Sequence, residues 1–137
     1  MKYIFLFILT LSTYNYSIGQ NDKVYDLFEV DAPPLLIGQT FKKDANQHQE
    51  FKKNIYDFIK KNVSIITGKK TSFEKAFVEI IINKNGDYVI SKSSATNKKA
   101  LKEALKTVKK LPKFSPAKIN GEPVKMKFII PITFNII

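Results

Sequence analysis

The sequence has no cysteine. That excludes a disulfide framework, a thiolate metal site, a cysteine nucleophile and a lipid-bearing cysteine. Arginine is missing too, so all 23 basic residues are lysine. Arginine is the usual choice for bidentate recognition of bases and phosphates, and nucleic acid is therefore not an expected partner. Histidine occurs once, as His48 in a polar stretch, and reads as a surface residue. A metal site would need several ligands, and no run of His, Asp and Glu supplies them. Asp26, Glu29 and Asp31 lie close in sequence and read as surface acids. There is no Gly-rich phosphate loop, no Ser-His-Asp set and no paired acid motif. The expectation is a protein with no catalytic residue, no cofactor and no metal, that is, not an enzyme.

What is present is lysine, apolar residues and order along the chain. The 137 residues suffice for one small domain, and a hydrophobic share of 44% suffices for its core. The formal charge of +11 favours anionic surfaces or acidic partners, although lysine also serves as a plain solubilising surface. Lys2 gives a short positive start, Tyr3 to Leu11 is almost wholly apolar, and Ser17 and Gly19 are small. This is the layout of a secretory signal peptide over residues 1–19, with cleavage near Gly19. The alternative is an uncleaved anchor, but a spanning helix needs roughly 20 apolar residues and Ser12, Thr13 and Asn15 shorten the run. Export to the periplasm is the expectation.

Residues 20–48 form an N-terminal segment and loop, in which Val24 to Val30 could add a short strand or an apolar tether before Pro33-Pro34. The domain proper is expected over 49–137. Phe51, Ile55, Phe58 and Ile59 recur at helical spacing, predicting a helix from Gln49 to Asn62. A loop through Gly68 follows. Phe73 to Asn83 alternates as a strand, and Asn85-Gly86 predicts a type I′ hairpin turn into a return strand over Asp87–Ser93. Thr96 or Asn97 can cap a second helix running to Leu111, with Leu101, Ala104, Leu105 and Val108 on one stripe and lysines on the rest. Asn120-Gly121 turns the chain into a last strand. There Val124, Met126, Phe128, Ile130, Ile132 and Phe134 alternate with Lys125, Lys127, Ile129, Pro131 and Thr133. Pro131 is tolerated mainly on an edge. Phe51, Phe58, Phe77, Phe128 and Phe134 are expected in the core.

The order helix, strand, strand, helix, strand predicts an α+β fold. It would have a three-stranded antiparallel sheet, order 2-1-3, with both helices on one face and the last strand on an edge.

These residues resemble the C-terminal domain of TonB-family energy transducers of the Bacteroidetes type. Leu111-Pro112-Lys113-Phe114-Ser115-Pro116-Ala117 looks like the family's segment after the helix. Gly121-Glu122-Pro123-Val124 looks like its entry into the last strand, and Pro131-Ile132-Thr133-Phe134 like its ending. The likeness is tight from Ala76 onward. Pro34 to Gly38 stands where the family has Phe-Pro-Gly-Gly, and Ser64 to Gly68 where it has a Tyr-Pro segment that helps contact the receptor peptide.

The resemblance implies a periplasmic binding domain that contacts TonB-dependent outer-membrane receptors, or another envelope protein, in transmembrane transport. Binding would be by β-strand addition beside Lys125, Lys127, Ile129, Pro131 and Thr133. Were residues 1–19 retained as an anchor, a proton-driven inner-membrane motor would be a further partner. The competing expectation is an envelope structural or assembly protein, which self-associates as a homodimer through the last strand or binds cell-wall polymer through its lysine-rich face.

Overall fold

The structure, a computed structural model, describes residues 23–43, 45–64 and 72–136. The expected leader over 1–19 and the loop through Gly68 lie outside them. Seven strands and two helices are described: β1 (Val24–Asp26), β2 (Leu35–Leu36), α1 (Gln47–Asn62), β3 (Ser72–Ile82), β4 (Tyr88–Ala95), α2 (Lys98–Val108), β5 (Phe114–Ser115), β6 (Ala117–Ile119) and β7 (Glu122–Ile136). One 3-10 turn, Leu27–Glu29, follows β1.

The two helices begin where side chains can satisfy their free amides. Asn46 accepts from the amides of His48 and Gln49, so α1 starts earlier than expected and takes His48 into its first turn. Asn97, of the two residues expected to cap the second helix, accepts from the Ala100 amide at 2.8 Å. The apolar stripes of both helices (Phe51, Ile55 and Ile59; Ala100, Ala104 and Val108) are buried in one cluster with the inward residues of β3 and β7. Both helices therefore cover the same sheet face. Phe51 meets Phe128 edge-on at 5.0 Å and Phe114 at 6.3 Å, which fixes α1 against the middle of β7.

The fold is α+β with a mixed sheet. The expectation of a three-stranded, wholly antiparallel sheet is corrected: five strands take part. β4, β3 and β7 are antiparallel neighbours. Beyond β7 lies β1, parallel to it, with Val24, Tyr25 and Asp26 opposite Lys125, Met126 and Lys127. β6 folds back on the start of β7. A separate pair joins β2 to β5. Burial is what holds the N-terminal segment here. Leu27, Val30, Leu36 and Pro34 are all buried, and Asp31 and Ala32 exchange backbone bonds with Lys118 of β6.

Two local expectations change. Gly86 has φ +88 but Asn85 is not in the positive region, so Asn85-Gly86 is not a type I′ turn. The Gly86 amide donates to the Asn83 carbonyl and the Asn83 amide to the Asp87 carbonyl, as in a three-residue hairpin loop whose last position is left-handed. The second Asn-Gly is the two-residue turn with both φ positive: Asn120 at +50 and Gly121 at +77 link Ile119 to Glu122. Phe77, expected in the core, is 46% exposed on the sheet face away from the helices.

Candidate functional site

β7 is the longest strand, and its outer edge is divided. At 122–124 it is covered by β6 and at 125–127 by β1. From Phe128 onward it pairs only with β3 among the described residues. The chain leaves the edge after Asp26 because Leu27 and Val30 turn into the core. The Asp26 amide donates to Glu29 Oε1 at 3.0 Å, closing the 3-10 turn. That bond, helped by Lys23, holds the exposed Glu29 carboxyl below the usual carboxylate range.

Where β1 stops, a groove of about 720 Å³ begins. It wraps the free edge. Lys52 and Tyr56 of α1 and Phe128 line one side, Phe77, Glu79, Ile129 and Pro131 the other, and Asp26 to Glu29 close one end. Phe28 is 71% exposed yet held firmly as that end wall. His48 stacks on it at 6.2 Å with an interplanar angle of 9°, and Lys52 Nζ lies 4.9 Å from its ring centroid. The His48 Nε2 is 2.8 Å from the Val30 carbonyl oxygen. The single histidine is thus a tie between α1 and the N-terminal segment.

The five expected edge residues do not form one continuous open ladder. Lys125 and Lys127 lie opposite Val24 and Asp26 of β1, and Lys127 Nζ is 3.8 Å from Asp26 Oδ1. At these two positions the edge is occupied by the chain itself, so the expected docking edge is shortened. Ile129, Pro131 and Thr133 lie on the stretch left open and are exposed. Pro131 has no N–H and offers no donor to a ladder.

Phe28, Lys52, Tyr56 and Phe77 were not legible as site residues in the sequence. Tyr56 lies off the apolar stripe of its helix, and Phe77 stands on the alternate face of a strand with Glu79 and Ile81. An aromatic on the wrong face of an otherwise regular pattern was the available signal. Asp26, Glu29 and Asp31 are engaged rather than loose: Asp31 Oδ2 accepts from the Asn120 amide at 2.7 Å. Among the described residues no group of three or more His, Cys, Asp or Glu could hold a metal ion, and no helix is long and apolar enough to cross a membrane.

An open strand edge beside an apolar groove can take up an extended chain. Main-chain bonds give affinity, and side chains on either face of the added strand give selectivity. Residues 75–136 match the family described as Gram-negative bacterial TonB protein C-terminal. Residues 75–136 therefore form a segment of the TonB C-terminal type, and the match supports assignment to that family. No curated protein and no solved structure matches it. The matched TonB segment starts inside β3 and runs to the end of β7, taking in β4, α2, β5 and β6. The end of β1, the 3-10 turn after it and α1, which supply the end wall and part of one side of the groove, lie before it. TonB C-terminal domains are periplasmic, non-enzymatic parts of energy transduction and generally interact with outer-membrane receptors.

Proposed function

We propose that this TonB-type domain is exported to the periplasm and binds an extended segment of an outer-membrane TonB-dependent receptor, or of another envelope protein, by adding a strand to β7. The added strand lies beside Phe128 to Thr133 and begins where β1 ends. No bond is made or broken in the bound segment. The observation that carries this reading is the groove of about 720 Å³ along the one part of the β7 edge that no described strand covers. β1 supports it from within the molecule, because the same edge already accepts a parallel strand at Lys125–Lys127. Tyr56, Phe77 and Ile129 are the exposed apolar contacts for side chains of the incoming segment.

A photocrosslinking scan in cells tests this. A photoreactive residue at Ile129 or Thr133 is expected to capture an outer-membrane receptor, while one at Lys125, beneath β1, captures far less. Self-crosslinks alone from Ile129 and Thr133 would instead support the assembly reading, in which two copies pair through β7.

A further inference from the structure

A second surface lies away from the groove. Lys98, Lys99, Lys102 and Lys106 of α2, with Lys109 and Lys110 just beyond it, are all exposed. Ion pairs among the described residues are made by Lys23, Lys53, Lys113 and Lys127, and by none of these six. The one acid on the helix, Glu103, is half-buried, with Oε2 covered and unpartnered. A helix of this length runs about 16 Å, so six ammonium groups crowd a short, unneutralised strip. The other side of α2 is spent on the core through Ala100, Ala104 and Val108.

We infer that this strip docks the domain on an anionic phospholipid surface. Lysine ammoniums are compact point charges without the fork that fixes one phosphate. They suit a fluid array of headgroups, where each lysine near the surface raises partitioning about fivefold. A sugar polymer would call for directional polar groups or an aromatic platform, and the exposed side of α2 offers only lysine. With its apolar side buried, the helix does not insert, and contact stays at the level of charge. α2 packs on β3 and β4, whereas α1 is the helix beside β7. A domain resting on α2 therefore keeps the β7 groove free at its side.

The test uses the full chain and vesicles of phosphatidylglycerol mixed with phosphatidylcholine, against vesicles of phosphatidylcholine alone. The quantity read is the difference between the two, which cancels any binding by the apolar N-terminus. The expected result is preferential sedimentation with the anionic vesicles. Lys98→Gln/Lys102→Gln/Lys106→Gln should reduce that preference at least about tenfold. Lys84→Gln/Lys92→Gln/Lys118→Gln removes the same charge elsewhere and should leave most of it; circular dichroism checks that both variants fold. Equal loss in the two variants would assign the attraction to net charge and overturn the proposal. So would no preference for anionic vesicles, or binding to purified peptidoglycan without binding to the vesicles.

Discussion

Gly86 and Gly121 each follow an asparagine and each has a positive φ, yet they are not equivalent. A Cβ at Gly86 would lie 1.8 Å from the Phe114 carbonyl oxygen, whereas nothing lies within 4 Å of one at Gly121. The Phe114 amide donates to the Gly86 carbonyl, so the hairpin tip and β5 meet backbone to backbone. Gly121→Ala is expected to cost about 1 kcal/mol, from φ alone, and Gly86→Ala more than about 3 kcal/mol. Urea unfolding of the two variants checks the order. Tyr88 supplies a second case. Its hydroxyl donates to the carbonyls of Val108 and Leu111, at 3.0 and 2.6 Å, and fixes the end of α2. Burial pushes its phenol above the ordinary 10.0. A raised folded value means the protonated form is favoured by folding. That stability is complete below pH 10.0 and is lost as pH rises through the folded value. Tyr88→Phe should cost about 1–2 kcal/mol at neutral pH. The gap to the wild type should narrow above pH 10.0 in unfolding curves, and a gap that widened would contradict the assignment.

At the scale of elements, long periodic segments were legible and short ones were not. The alternation of β7 is regular over its described length, and Val124 to Phe134 are buried at every second position. β4 reads less cleanly because its register slips between Glu79 and Ile80 of β3, leaving Ser91 as an extra residue whose hydroxyl donates to the Glu79 carbonyl. β1 carries almost no pattern: three residues cannot display a period, and their parallel partner lies about a hundred positions downstream. Its place is set by tertiary burial of Leu27 and Val30 rather than by local preference. This is why the edge at Lys125 and Lys127 was expected to be open. A proline at Lys127 tests the difference. Lys127 lies between Ile81 of β3 and Asp26 of β1, so its N–H faces a strand on either side. Lys127→Pro should therefore destabilise the fold by at least about 2 kcal/mol. On an open edge with an outward N–H it would only weaken partner capture. Thermal unfolding of the variant separates the two. The native Pro131 is tolerated where β7 has a neighbour on one side only.

For the molecule as a whole, the two sheet sides have opposite character. One carries the helices and their lysines; the other exposes Phe73 and Phe77 of β3, Val89 of β4 and Ile129 of β7. Composition foretold a basic protein, but not that the charge of α2 would be unpaired and set apart from the groove. The separation has a consequence for salt. Screening shrinks to about 3 Å at 1 M salt, so attraction between exposed charges fades. Main-chain bonding and apolar contact at a strand edge are far less affected, and apolar burial does not depend on fixed charge. Raising salt toward that level should release the domain from anionic vesicles while leaving capture of an extended receptor segment at Ile129 in place. Ile129→Thr should do the reverse. It keeps a β-branched residue on an exposed strand position and should change stability by less than about 1 kcal/mol. It should lower segment capture at Thr133 and leave vesicle binding unchanged. If salt abolished both activities together, the groove would be drawing its affinity from the lysines, and strand addition at β7 would lose its support.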